Sequence, residues 1–258
     1  MDTTASFDIT EQEVVPSEYE QVSIMVSGLK GGHSGIDIHT GRGNAIKLLA
    51  RTLKFVLDDV TTDNLKVYYI EAGSKRNAIP REAWVNAFVR KDKLDLVKEK
   101  VAKFEQFALG EYQVQEPGLK ISVGAAESQA TSTKAFSSEF LEKLISVIFA
   151  APHGVIQMSP VIEGLTETST NLAIVTTQQG KVEFCTSQRS SIDSAKIYAA
   201  THVASVFKLA GAKVNHSDGY IGWQPNMDSS LLKLCKEVFT QKYNQEPEVK
   251  AIHAGLEW

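Results

Sequence analysis

The 258-residue sequence predicts an α/β fold of the α+β sandwich type, with a ferredoxin-like domain made of two helix-plus-hairpin halves. Strand-like segments of alternating β-branched and polar residues are interleaved with segments whose apolar residues recur at three- and four-residue steps. The first six such segments follow the order β-α-β-β-α-β, which is the ferredoxin-like plan. Hydrophobic residues make up 43% of the chain, enough for one large core or two smaller ones.

The first half supplies four predicted strands and two predicted helices. Gln21–Leu29 alternates as a strand does, and a glycine-rich turn follows it. Helical periodicity runs from Asn44 to about Val60 and again from Lys93 to Leu109. The remaining predicted strands are Leu65–Glu71, Ala83–Arg90 and Leu119–Ala125.

The second half repeats this pattern loosely. Ala135–Ala150 and Ser194–Ala210 have helical periodicity. Between them lies a hairpin, turned at Gln-Gln-Gly, whose predicted strands are Asn171–Thr177 and Val182–Thr186. The short strand Ala212–Asn215 closes this half.

These elements divide the chain into three predicted regions. Residues 1–19 are polar and acidic, which predicts an extended lead-in, and residues 20–215 form the sandwich. Residues 216–258 begin as a linker and then predict a helix at Asp228–Tyr243, with an apolar side facing inward, and a strand at Glu248–Ile252. We expect this last region to belong to a different core.

Composition argues against several classes of protein. The net charge is −4, with 27 basic and 31 acidic residues interspersed, so neither a nucleic-acid groove nor a membrane-binding surface is indicated. Residues 1–19 contain no apolar signal segment, and no apolar run is long enough to span a membrane. The two cysteines, Cys185 and Cys235, are too few for a disulfide framework. The sequence therefore predicts a soluble, cytoplasmic protein with reduced thiols.

Three polar residues stand in turns or at strand ends, where they could contact a ligand. His33 lies in the glycine-rich turn KGGHSG, where the backbone can approach a ligand closely, although it could equally be a loop histidine without a role. Asn77, in GSKRNAIP, can both donate and accept, but an Asn there could simply cap its own turn. Arg189, in TSQRSS, could hold a carboxylate with two hydrogen bonds or be a solvated surface side chain.

A metal site is not apparent in the pattern. Hydrolysis at a metal needs three or more clustered ligands, and the six histidines form no H-E-x-x-H motif. One H-x-D, at His216–Asp218, lies in the predicted linker without a second ligand cluster. The sequence therefore predicts that no metal is bound by residues 1–258.

Five co-linear stretches resemble the aminoacyl-histidine dipeptidases, the PepD-type branch of the zinc-dependent M20 metallopeptidases. They span most of the chain, from Val26 to Glu257, and no single short motif would be as specific. The stretches are VSGLKGGHSGIDIHTGRGNAIKLLAR, GSKRNAIP, PHGVIQMSPVIEGLTETSTNLA, TSQRSSID and PEVKAIHAGLE.

The resemblance implies that residues 20–215 are a lid and dimerisation domain and that residues 216–258 are part of a catalytic domain. That domain holds two zinc ions in the family, and the matching ligands would lie before Met1 and after Trp258. His33 matches a lid histidine that stabilises the oxyanion, which in related enzymes comes from the partner subunit. Arg189 matches the clamp for the dipeptide's C-terminal carboxylate, Asn77 a polar residue facing the substrate, and Gly255 a backbone contact near it.

Two further hypotheses remain beside that of a dipeptidase lid. The sandwich could be a non-catalytic dimerisation module, or a sensor that binds small molecules at the sheet edge, because such sandwiches serve many purposes. The dipeptidase hypothesis requires His33, Asn77 and Arg189 to face a shared cleft, across a dimer if necessary, whereas a module would leave them scattered. We also expect a homodimer formed through an exposed edge such as Val22–Val26, and no hydrolysis of dipeptides by this chain alone.

Overall fold

The computed structural model describes residues 1–9, 12–126 and 133–255. Its helices are α1 (Ala45–Val60), α2 (Leu94–Tyr112), α3 (Ser138–Ala150), α4 (Asp193–Leu209) and α5 (Ser230–Tyr243). Its strands are β1 (Asp2–Asp8), β2 (Gln12–Val14), β3 (Tyr19–Ser27), β4 (Gly32–His33), β5 (Leu65–Ala72), β6 (Ala78–Ile79), β7 (Ala83–Arg90), β8 (Lys120–Ala125), β9 (Lys134–Phe136), β10 (Gly154–Met158), β11 (Thr166–Gln178), β12 (Lys181–Ser190) and β13 (Lys213–His216). None of the described helices is long and apolar enough to cross a bilayer.

One antiparallel sheet runs through the molecule in the order β13-β1-β12-β11-β5-β7-β3-β8, with β10 beside β11. The strands β5-β7-β3-β8, together with α1 and α2, have ferredoxin-like order and form the first unit. The strands β13-β1-β12-β11, together with α3 and α4, have the same order and form the second unit. The predicted ferredoxin-like sandwich with two halves is confirmed, and the halves join edge to edge where β11 pairs with β5.

The helix α1 shows why the prediction for the first unit was correct. Asn44 caps it, because its Oδ1 accepts hydrogen bonds from the backbone N–H groups of Ile46 (2.9 Å) and Lys47 (3.2 Å). Leu49 and Leu53 are among the side chains that α1 buries in the core. Burying a leucine completely contributes roughly 1.5–3 kcal/mol, so this apolar stripe drives the docking of α1 onto the sheet.

The segment Asp2–Asp8 differs from its prediction. It is extended, but it is an inner strand that pairs with β12 on one side and β13 on the other, not a lead-in outside the sandwich. Its inward residues are Thr3, Ala5 and Phe7. A buried threonine weakens the hydrophobic alternation, and its burial depends on a 2.8 Å hydrogen bond from its hydroxyl to Gln188 Oε1, which local sequence does not reveal.

The edge proposed for dimerisation was also placed wrongly. Val22–Val26 lies within β3, which pairs with β7 and with β8, so this strand has no open side. The predicted hairpin is confirmed but longer, at Thr166–Gln178 and Lys181–Ser190. Its turn is tight because Gln179 and Gly180 both have positive φ values, 48° and 73°.

The C-terminal region departs most from expectation. The helix α5 forms at the predicted position, but it buries no residue, and Leu231, Leu234 and Val238 on its apolar side are exposed. The predicted strand Glu248–Ile252 is absent, since residues 245–252 have no regular structure in this part of the described chain. An apolar stripe is buried only where another surface covers it, and none of the described elements covers α5.

Candidate functional site

Two short strands bring His33 and Asn77 together. β4 pairs with β6 so that His33 lies opposite Ala78, and the backbone N–H of Ser34 donates to the carbonyl of Asn77 at 2.9 Å. The side chain of Asn77 is exposed, whereas that of His33 is half-buried. Asn171 holds this turn from β11, because its Nδ2 donates to the carbonyl of Ala78 at 2.7 Å and to that of Arg76 at 3.3 Å.

The hydrogen bonds of His33 assign its tautomer. Its Nδ1 accepts from the backbone N–H groups of Gly35 and Ile36, each at 3.2 Å. An accepting Nδ1 carries no proton, so the proton of the neutral ring is on Nε2. Burial lowers the pKa of His33, the charge of Arg189 lowers it further, and Asp37 opposes both. Near neutral pH, His33 therefore offers a neutral Nε2–H donor.

The loop that carries His33 has an internal frame. The backbone N–H of His33 donates to Asp37 Oδ2 at 2.8 Å, and Asp37 forms an ion pair with Arg42 at 2.9 Å. Gly32 has a φ of +138°, and a Cβ there would lie 2.2 Å from Arg42 Nη1 and 2.6 Å from Asp37 Oδ2. A glycine is required at this position, since any side chain would displace the ion pair.

Arg189 reaches the same region from the second unit. It lies near the end of β12, opposite Ser169 of β11. Burial lowers the pKa of Arg189 and the charge of Arg76 lowers it further, whereas the phenolate form of Tyr220 and the carboxylate of Asp2 raise it. Its Nε is buried without a hydrogen-bond partner, which leaves a charged donor for a ligand to satisfy.

Three other buried side-chain atoms of the described residues lack partners, and each is connected to this region. They are Ser34 Oγ, Asn171 Oδ1 and Asp2 Oδ1. Ser34 follows His33 in the loop, Asn171 holds the turn of Asn77, and Asp2 pairs with Arg76 at 3.0 Å. Unsatisfied polar atoms that cluster in this way are typical of a site that binds a polar ligand or ordered water.

His253 joins the group, although the sequence did not assign it a role. Its Nε2 lies 2.8 Å from the hydroxyl of Ser169, and its carbonyl oxygen lies against Gly35, where a Cβ would approach it to 2.1 Å. Burial lowers the pKa of His253 to about 4, with further lowering by Arg189, His33 and His39. The signal that could have identified it is its place in HAGLE, because spacing alone does not separate it from a surface histidine.

The fourth predicted residue, Gly255, is connected to the group through Tyr220. A Cβ at Gly255 would lie 2.5 Å from the hydroxyl oxygen of Tyr220, whose phenolate form raises the pKa of Arg189. The structure thus gathers His33, Asn77 and Arg189 from both units and brings the backbone of Gly255 to their border.

The donor set does not fit zinc. Among residues 1–9, 12–126 and 133–255, no three histidine, cysteine, aspartate or glutamate side chains are placed to hold a metal ion. The two cysteines are free thiols, and burial raises the pKa of Cys185 to about 11. We therefore derive no chemical step through a metal from these residues.

A separate cleft of about 500 Å³ lies away from this group. Its lining residues are Val15, Pro16, Ser17, Tyr19, Gln21, Phe88 and Thr133. These lining residues include no carboxylate, imidazole or amine, so the cleft offers no acid, base or cation for catalysis.

Comparison with known proteins agrees with the fold. Residues 24–115 match the peptidase dimerisation domain of the M20 family. The chain is 37% identical, over 96% of its length, to the cytosol non-specific dipeptidase of Escherichia coli strain K12. Its structure matches that of the aminoacylhistidine dipeptidase of Vibrio alginolyticus with a TM-score of 0.88, at 33% identity and over 99% of this chain. It covers 50% and 51% of these two proteins, about half of their length.

The chain therefore carries an M20 peptidase dimerisation domain. It is a homologue of the dipeptidases, and the resemblance to the aminoacyl-histidine dipeptidases is confirmed.

Proposed function

We propose that this chain forms the lid and substrate-covering part of a zinc-dependent dipeptidase that hydrolyses Xaa-His and other dipeptides. The observation that carries this proposal has two parts. The strand of His33 pairs with the strand beside Asn77, and Arg189, whose charge lowers the pKa of His33, has a buried Nε without a hydrogen-bond partner. A dimerisation module needs no such group, and a sensor on the sheet edge would bind elsewhere. The names of the two relatives supply the class of substrate.

Each residue has a distinct task in this proposal. Arg189 binds the C-terminal carboxylate of the dipeptide, which satisfies its Nε and suits the two parallel donors of a guanidinium. His33 donates from Nε2 to the oxygen of the scissile carbonyl as negative charge develops there, and loss of one such donor costs about 10²–10³ in kcat. The amide of Asn77 and the backbone at Gly255 contact the rest of the substrate.

Zinc would supply the polarised carbonyl and the activated water, but the described residues provide no ligand set for it. We therefore expect this chain by itself to bind dipeptides without hydrolysing them. Residues 216–258 form part of another domain in this proposal, which the exposed apolar side of α5 supports. The name of the bacterial relative supports a cytosolic location.

A homodimer formed through the lid domain is part of the proposal, supported by the dimerisation-domain match. Val22–Val26 is paired on both sides, and β5 is paired with β11, so neither provides the contact. Among the described strands of this sheet, β8 and β13 at the ends of the path and β10 beside β11 each have an open side. A chain that sediments as a monomer at high concentration would count against this part of the proposal.

Calorimetric titration tests the carboxylate clamp. We expect the chain to bind an Xaa-His dipeptide, and Arg189→Met to weaken binding roughly 10- to 100-fold, because a hydrogen bond to a charged group contributes about 1.5–3 kcal/mol. Amidating the C-terminus of the dipeptide should weaken its binding to the unaltered chain. Binding to Arg189→Met should be equally weak for the free and the amidated dipeptide. Arg51→Met is the matched control, since Arg51 pairs with Glu111 between α1 and α2. Equal binding by Arg189→Met, or no binding by the unaltered chain, would contradict the proposal.

A further inference from the structure

A single buried carboxylate holds both ends of the loop that carries His33. This loop, residues 30–43, connects β3 to the cap of α1. Glu116 Oε2 accepts from the backbone N–H of Lys30 at 2.7 Å, and Oε1 accepts from that of Gly43 at 2.9 Å. The side chain of Glu116 is 0% exposed. Burial of a carboxylate is costly unless its oxygens are hydrogen-bonded, and here both of them bind the loop.

Glu116 is itself fixed in place. It follows α2, where its N–H donates to the carbonyl of Tyr112 at 2.7 Å and its carbonyl accepts from Leu119 at 3.0 Å. The Cβ position of Gly43 would lie 3.5 Å from Glu116 Cγ, so the loop packs directly on this side chain. The carboxylate therefore fixes the two ends of the loop relative to α2.

Besides the hydrogen bonds of Glu116, two further sets of contacts fix the position of His33. Inside the loop, Asp37 binds the backbone of His33 and pairs with Arg42, whose guanidinium also binds the carbonyl of Gly31. On the other side, β4 pairs with β6 beside Asn77. The contacts of Asp37 and Arg42 lie within the loop, so they do not fix the loop relative to the rest of the protein. The hydrogen bonds of Glu116 fix its two ends, and the pairing of β4 with β6 fixes its middle.

We propose that Glu116 is a positioning residue for His33, which fixes the loop so that the Nε2–H of His33 keeps its direction. This inference rests on the proposed function, in which that donor faces the substrate carbonyl. It adds a buried residue that touches neither the substrate nor His33 directly. The conversion of Glu116 to Gln provides the sharpest change, because an amide has one accepting oxygen and places N–H groups against the other loop end.

The test uses NMR of the chain with ¹⁵N-labelled histidine, with the His33 signals assigned by their loss in His33→Gln. In Glu116→Gln we expect the two ring-nitrogen shifts of His33 to move towards the average of a freely exchanging imidazole. We also expect amide exchange at Lys30 or Gly43 to accelerate roughly tenfold or more, because one buried hydrogen bond is lost. Glu116→Asp, whose shorter carboxylate reaches at most one end, should show the same change and serves if the glutamine variant does not fold.

The matched control is Glu105→Gln. Glu105 lies on α2, the helix that precedes Glu116, and its Oε1 accepts from the backbone N–H of Ile121 at 2.8 Å, away from the loop. This variant should leave the His33 signals unchanged. Unchanged His33 signals in a folded Glu116→Gln or Glu116→Asp variant would overturn the positioning role, whether or not dipeptides bind. If the signals move as expected while the unaltered chain binds no dipeptide, the positioning role stands and the proposed function fails.

Discussion

The two ferredoxin-like units share one strand order, but the chain builds them differently. The first unit is continuous, from Tyr19 in β3 to Ala125 in β8. The second takes its first strand from Asp2–Asp8 and the rest from Ser138–His216, so the first unit is inserted between its first strand and its first helix. Each contributes a different part of the site, His33 from the first and Arg189 from the second. The difference teaches that the site depends on how the two units are joined.

That junction combines a shared hydrophobic core with a few directed hydrogen bonds. β11 pairs with β5 at Val175–Ala72 and Thr176–Glu71, and the hydroxyl of Thr177 both accepts from the N–H of Ile70 at 2.9 Å and donates to its carbonyl at 3.0 Å. On the helical side, Lys47 of α1 donates to the carbonyls of Ile148, Phe149 and Ala151 at the end of α3. These bonds satisfy the free carbonyls of α3 and fix the orientation of the units.

The largest effect is expected from Phe7→Ala, because it tests whether the inserted arrangement makes the second unit depend on β1. Phe7 is 4% exposed, and its ring centroid lies 6.0 Å from that of Phe184 and 6.5 Å from that of Phe207. The substitution should lower the free energy of unfolding by about 3–5 kcal/mol. Denaturant unfolding measures the loss, and amide exchange should accelerate first in β12 and β13.

Phe107→Ala, at a ring 49% exposed in the first unit, is the control and should cost less than half as much. Faster exchange in β3 and β7 than in β12 would contradict the dependence.

A smaller effect, confined to acid, is expected at the junction. Burial, and then the charge of Lys47, lower the pKa of His153 from 6.5 to about 4. The folded state therefore binds fewer protons than the unfolded chain between pH 4 and 6.5. The contribution of His153 is complete above pH 6.5 and is lost as the pH falls to 4, by an amount on the order of 2–3 kcal/mol.

Unfolding experiments at several pH values check this expectation. His153 Nδ1 accepts from the N–H of Leu172 at 3.3 Å, so His153→Gln removes the titrating group but keeps a side chain that can accept. We expect the variant to lose less stability than the unaltered chain between pH 6.5 and 4. Equal slopes for the two proteins would exclude His153 as the source.

The smallest effect is expected at the hairpin of the second unit. Gln179 has a φ of 48°, a conformation that favours glycine or asparagine, and Gly180 follows it. Gln179→Asn should therefore raise the stability by about 0.5 kcal/mol, measured as a higher denaturant midpoint with an unchanged slope. Gln178→Asn, one residue earlier at the end of β11, is the control and should give no gain. A fall in the midpoint for Gln179→Asn would show that the turn is not under this conformational restraint.

Much of the fold could be predicted because its signals are local. The stripe of α1 and its cap at Asn44 read directly as a helix, and the Gln-Gln-Gly turn between two β-branched runs reads as a hairpin. The place of Asp2–Asp8 inside the sheet could not be predicted, because Thr3 is buried through a hydrogen bond to Gln188, which is far along the chain. The pairing of Val22–Val26 on both sides could not be predicted either, since the order of strands in a sheet depends on contacts between residues distant in sequence.

Some residues of the candidate site and its surroundings could be predicted from the sequence and others could not. His33, Asn77 and Arg189 could be selected because turn position and residue type restrict the choice, and the resemblance then suggested their roles. His253, Ser169 and Glu116 could not, because their importance lies in a 2.8 Å contact between the C-terminal segment and β11 and in a carboxylate shared by two loop ends.

The sequence by itself determined the kinds of element, the ferredoxin-like order and the residue types available for binding an anion, because periodicity and turn chemistry act over a few residues. Only the tertiary structure decided which strands are neighbours, that β1 closes the second unit, and that the charge of Arg189 lowers the pKa of His33. Hydrogen bonds between strands and the burial of unpaired polar atoms depend on groups far apart in the chain, and no local pattern encodes them.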